Sequence, residues 1–125
     1  MSSLSIAPRP LNDSERAVLE CVLSIDFVGA SALRSQLDQT EVVAIWAPDS
    51  VSIDLRVREP AQRAAMASEL VPVDAQVLNQ FGEYVGELLV WTEGGDTLAG
   101  LEYAWITDEM PTSLPSVDRL QLTVR

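Results

Sequence analysis

Glu83-Tyr84-Val85-Gly86-Glu87-Leu88-Leu89-Val90-Trp91-Thr92-Glu93-Gly94-Gly95-Asp96-Thr97-Leu98-Ala99-Gly100-Leu101-Glu102-Tyr103-Ala104-Trp105-Ile106 is the stretch that decides the fold. Two runs rich in aliphatic, aromatic and β-branched residues, 83–92 and 97–106, flank Glu93-Gly94-Gly95-Asp96. Paired glycines supply the positive φ angles of a tight turn, so the stretch predicts an antiparallel hairpin. Gly82, Gly86 and Gly100 mark bends or bulges along it.

Further strands are expected on both sides. Residues 41–46 are rich in β-branched residues, 47–50 form a turn, and 51–57 alternate so that Val51, Ile53, Leu55 and Val57 share one face. Residues 71–78 contain Pro72 and predict an edge strand, and 120–124 predict a short final one. Residues 61–70 have helix-forming composition without a clear apolar stripe and suit either a short helix or an irregular loop. The proline-bearing segment 108–117 is a loop.

The period differs at the start of the chain. Residues 1–10 read as a flexible lead-in. Asn12 then stands as a helix cap with Glu15 in the reciprocal position and Leu11 as a staple. Val18, Leu19, Val22 and Leu23 follow at helical spacing, which takes the helix to about Ser24. After a break at 25–29, a second helix over 30–37 presents Leu33 and Leu37. The expected fold is α+β: a single domain over residues 11–125, with an N-terminal helical pair packed on one face of a mainly antiparallel β-sheet.

Composition narrows the function. The chain has 125 residues, a net charge of -11 and eight basic residues, all arginine, with no lysine and no histidine. Those absences exclude Ser-His-Asp and Cys-His catalysis, histidine-ligated zinc, the P-loop lysine and Schiff-base lysines. So acidic a surface repels phosphate backbones and anionic lipids, so neither nucleic acid nor membrane is an expected partner. Cations and basic proteins are favoured. Cys21 has no cysteine to pair with, residues 1–10 lack the apolar core of a signal peptide, and no apolar run reaches the roughly 18 residues of a membrane span. A cytoplasmic protein is expected.

Candidate chemistry concentrates in the hairpin. If Gly94 and Gly95 form a two-residue turn, Glu93 pairs with Asp96, Trp91 faces Leu98, and Glu87 lies directly opposite Glu102. Two opposed carboxylates destabilise a sheet. They splay into water, meet an arginine such as Arg56, Arg58 or Arg119, share a proton, or hold a metal; a one-residue slip of register removes the pair. On the following loop, Asp108 and Glu109 sit among Trp105, Met110, Pro111 and Leu114, the composition of an interface for a basic partner; Trp105 is equally suited to the core. Asp49 and Asp54 lack the spacing of a calcium loop, and Cys21 reads as an inert thiol.

Leu23-Ser24-Ile25-Asp26-Phe27-Val28-Gly29-Ala30 running into Leu33-Arg34-Ser35-Gln36-Leu37, together with Ser52-Ile53-Asp54-Leu55-Arg56-Val57 and Leu101-Glu102-Tyr103-Ala104-Trp105-Ile106-Thr107-Asp108-Glu109-Met110-Pro111-Thr112, resembles a family of small acidic bacterial proteins of GC-rich, actinobacterial-like genomes. The resemblance spans most of residues 11–123 and implies no catalytic residue. Where relatives carry cysteines before the second strand, this chain has Trp46-Ala47-Pro48-Asp49, so no metal or redox role carries over. At the level of class, the chain is similar to the immunity proteins of bacterial toxin systems.

These readings converge on a non-enzymatic acidic binding protein without cofactor or metal. The expected type is an immunity protein that covers the active site of a basic toxin domain, with Glu87, Glu102, Trp105, Asp108 and Glu109 as partner contacts. Two other expectations stand beside it: a small acid–base or metal-assisted enzyme using Glu87 and Glu102, and a structural or regulatory homodimer joined through an exposed edge strand.

Overall fold

The computed structural model describes residues 3–125. Seven antiparallel strands form one sheet: β1 (Leu4–Pro10), β2 (Thr40–Ile45), β3 (Ile53–Val57), β4 (Val73–Leu78), β5 (Tyr84–Glu93), β6 (Thr97–Trp105) and β7 (Leu120–Val124), in spatial order β1-β2-β3-β6-β5-β4-β7. Helices α1 (Asp13–Leu23) and α2 (Ala30–Ser35) precede β2 and pack on one face of the sheet. The fold is α+β as expected.

Local chemistry starts α1. Asn12 Oδ1 accepts from the Glu15 amide at 2.8 Å, and Glu15 Oε1 accepts from the Asn12 amide at 2.9 Å. This reciprocal capping box satisfies two of the amides that a helix start leaves unpaired. Glu15 is only 4% exposed, and Arg9 from β1 grips its carboxylate with two bonds of 2.9 Å. Val18, Leu19, Val22 and Leu23 then face the sheet, against Val42, Ile53, Leu55, Leu88, Val90 and Leu101.

Residues 4–10 are not a flexible lead-in; they form the edge strand β1. Pairing with β2 and the Arg9–Glu15 tether hold them, and Pro8 and Pro10 suit an edge. Met1 and Ser2, also placed in the lead-in, lie outside the described residues. A second correction concerns β4. It is an interior strand between β5 and β7, because Pro72 lies one residue before it and removes no donor from its ladder. Residues 61–70 form an irregular loop, with Leu70 making one bridge to Trp91.

That loop is fastened to the hairpin tip. The Ala64 and Met66 amides donate to Asp96 O and Gly95 O, both at 2.9 Å. Gln36, fully buried at the end of α2, completes the joint. Its Nε2 donates to Gln62 O and Asp96 O, and its Oε1 accepts from the Leu98 amide. A buried amide with both N–H groups and its oxygen engaged fixes the tip against the helix layer.

Candidate functional site: an acidic aromatic groove

The hairpin register differs from a simple two-residue turn. Gly94 and Gly95 do make the turn, at φ 59 and 78, but Glu93 pairs with Thr97, and a bulge at Ala99 follows. Two one-residue offsets add up to two. The facing pattern is therefore kept while every opposed pair changes. Glu102 lies opposite Leu89, Glu87 lies opposite Ala104 on one side and Gln76 on the other, and Trp91 lies opposite Gly100. The directly opposed Glu87/Glu102 pair does not form; the two share a face as diagonal neighbours.

The face turned away from the helices carries a groove of 570 Å³, within the size range of ligand sites, about 300–1,000 Å³. Its walls are mostly apolar: Trp46 and Ala47 after β2, Ala104 and Trp105 at the end of β6, and Met110 from the loop beyond. Two carboxylates enter it from neighbouring strands, Asp54 from β3 and Glu102 from β6. Each is half-buried and each is held by an indole. Trp46 Nε1–H donates to Asp54 Oδ1 and Trp91 Nε1–H donates to Glu102 Oε1, both at 3.0 Å.

A second bulge, in β2, makes this possible. Between Val42 and Ala44 the β2–β3 register shifts by one, which sets Ala44, still buried, opposite Asp54 and brings Trp46 within reach of that carboxylate. Buried Ser52 accepts from the Tyr103 amide at 2.9 Å and joins β3 to β6 beneath the groove. Tyr103 also lines it, and burial pushes its phenol up.

Five of the eight arginines form ion pairs elsewhere, and Arg34 donates to Leu23 O. Arg9 meets Glu15, Arg16 meets Glu20 and Asp38, Arg56 meets Glu41, Arg63 meets Glu59, and Arg125 meets Asp74. Among the described residues no arginine forms an ion pair with Asp54 or Glu102. The reason is partly one of layout. Residues 64–118, which include all of β4, β5 and β6, hold ten acidic residues and no basic one.

The sheet end nearest the groove exposes an aromatic and aliphatic cluster. Gly86 pairs with Trp105 and the Ile106 amide donates to Val85 O, so Trp105 and Ile106 leave the sheet beside the start of β5, where Phe81 and Tyr84 are also exposed. Ile106 is 65% exposed and Phe81 76%. Glu83, Asp108 and Glu109, their near neighbours in the chain, are exposed as well.

Of the residues singled out from sequence, Glu102 and Trp105 line the groove, Asp108 and Glu109 lie exposed on the adjoining loop, and Glu87 sits half-buried on the same sheet face outside the groove lining. Sequence reasoning missed Trp46 and Asp54. The alternation of 51–57 already placed Asp54 on the open face; the β2 bulge that brings Trp46 to it has no sequence signal. Cys21 lies on α1, where burial pushes its thiol up, the condition of an unreactive cysteine. Among the described residues there is no group of three or more Asp, Glu, His or Cys side chains placed to hold a metal ion, and no helix is long and apolar enough to cross a membrane. Comparison with protein-family models, curated proteins and solved structures finds no match to the chain.

Proposed function

We propose that this chain is a binding protein for a basic protein, of the immunity type: it seats its acidic sheet face over a cationic catalytic cleft of the partner and blocks it. The observation that carries this reading is the run 64–118, which builds β4, β5 and β6 with ten acidic residues and no basic one, and which exposes Phe81, Tyr84, Trp105 and Ile106 as well as Glu83, Asp108 and Glu109. Apolar and aromatic side chains of this kind supply the affinity of an interface, and acidic residues at the rim raise the encounter rate with a basic partner. A cleft built to hold an anionic substrate has the complementary charge.

The test is capture from the native host with the tagged chain at low and high salt, followed by reconstitution with the purified captured protein. The reading expects one basic protein, released at high salt, that forms a stoichiometric complex and loses its own catalytic activity on binding. It also expects Trp105→Ala with Ile106→Ser to weaken the complex more than tenfold. Capture of nothing, or of a partner whose activity survives saturation, overturns the reading.

A further inference from the structure

We propose that the groove between Trp46 and Trp105 is the seat of one arginine side chain of the partner, with Asp54 and Glu102 as its counter-charges. The inference rests on the binding reading above and assigns the chemistry of its central contact.

Three features of the groove point to a guanidinium. The first is uncompensated charge. Asp54 and Glu102 are half-buried in a mostly apolar recess, where an ionised carboxylate calls for a positive partner. Each has one oxygen taken by a neutral indole N–H, which leaves the second oxygen of each carboxylate to a ligand. The one arginine on the same strand and face, Arg56, is turned to Glu41 at 3.4 Å. Beyond β6 on the same sheet face come Glu87 on β5 and Asp74 on β4; the arginine on that side, Arg125, is bonded to Asp74.

The second is preorganisation. The indole bonds fix both carboxylates before anything binds, and β3 and β6 are direct neighbours through Asp54 and Gly100. Little side-chain freedom remains to be lost on association.

The third is the match of shape. A guanidinium is flat, weakly hydrated and donates along two edges, so it can reach two carboxylates from adjacent strands. Its faces stack on indoles, and Trp46 and Trp105 both line the recess, with Met110 and Ala104 beside the aliphatic stem. An ammonium is a compact, strongly hydrated point charge that uses neither the flat walls nor both edges. Anionic ligands meet two carboxylates and are repelled.

The probe is N-acetyl-arginine amide, titrated into the isotope-labelled protein while the indole N–H resonances of Trp46 and Trp91 are followed. Expected are saturable shifts of both in the low-millimolar range, at least a threefold weaker response to N-acetyl-lysine amide, and none to the uncharged N-acetyl-citrulline amide. Asp54→Asn and Glu102→Gln, which keep an acceptor for each indole, are each expected to weaken binding about fivefold or more with the rest of the spectrum unchanged. Absence of saturation, an equal response to citrulline, or unaltered binding by both variants overturns the assignment. The captured partner separates the two proposals. If it binds the Asp54→Asn/Glu102→Gln double variant as tightly as the native chain, the arginine seat is wrong and the binding reading stands; if no partner exists, the binding reading falls whatever the amide does.

Discussion

Trp91 reaches across from β5 to give its indole Nε1–H to Glu102 Oε1 on β6, at 3.0 Å. The bond spans a diagonal of the strand pair, with Trp91 opposite Gly100 and Glu102 opposite Leu89. Gly100 has no side chain to stand between them, so the carboxylate is held in place over its own strand. Glu102→Ala removes the acceptor and is expected to cost about 1 kcal/mol, the half-exposed site letting water replace part of the loss. Glu102→Gln retains an acceptor and is expected to stay within about 0.5 kcal/mol of the native chain. Urea unfolding distinguishes the two.

Gln36 carries a larger effect. Replacing it with leucine leaves the buried Leu98 amide without its side-chain acceptor and takes a donor from Gln62 O and from Asp96 O, the latter keeping the Ala64 amide. The expected loss is about 3 kcal/mol or more, seen as a lower urea midpoint at unchanged slope.

The two turn glycines separate strain from collision. Gly94 has φ 59 and no atom within 4 Å of where a β-carbon would stand, whereas at Gly95, φ 78, that carbon would lie 2.2 Å from Met66 O. Gly94→Ala is expected to cost about 1 kcal/mol. Gly95→Ala forces the 61–70 loop away from the hairpin and is expected to cost about 3 kcal/mol or more. Proteolysis of that loop should accelerate in the second variant alone.

At the other edge, Glu15 Oε1 serves both the Asn12 amide and Arg9 Nη1, each at 2.9 Å. Asn12→Ala is expected to cost about 1 kcal/mol and Glu15→Ala about 3 kcal/mol. A double-mutant cycle between Arg9 and Glu15 should give a coupling of about 0.5 kcal/mol or more, since the guanidinium holds that carboxylate with two bonds. Strict additivity would mean that β1 and the start of α1 are held independently.

Burial raises the Tyr103 phenol and the Cys21 thiol. Both are neutral acids stabilised in their protonated form, so the contribution is fully present below the unfolded values, about 10 and about 8.5. It is lost as pH climbs through the raised folded values. Stability should therefore fall in mildly alkaline solution. In a Tyr84→Phe background, phenolate absorbance reports Tyr103 alone, and its midpoint should drop toward the ordinary value in denaturant. Thiol-reagent labelling of Cys21 should likewise be slower in the folded chain than in the unfolded one at the same pH.

What was legible in the sequence was local. Asn12 and Glu15 are three residues apart and announce a helix start wherever they fall, and 51–57 alternate because one side of β3 is core. The hairpin was legible as a hairpin, but its register was not. Asp96 and Ala99 each add a residue to one side, for reasons that reside in Met66, Gln62 and Gln36 far away in the chain. The same holds for β1, whose prolines suggest a lead-in until Arg9 finds Glu15. Glu102 and Trp105 were found because they are an acid and an aromatic in the decisive hairpin; Trp46 and Asp54 became candidates only when β2, β3 and β6 lay side by side.

The order of strands has a temporal consequence. Ile53 faces Leu101 and Asp54 faces Gly100 across the middle of the sheet, residues roughly 50 positions apart in the chain. The β2–β3 and β5–β6 pairs each close over short connections and can form early, but this seam joins them only after a long loop has been gathered in. Asp54 stands on one bank of it and Glu102 on the other. A chain still on its way to the native state, or one that has opened along this line, therefore presents two separate half-sites and no recess between them, and a ligand seated there acts as a clasp on a long-range join of the sheet.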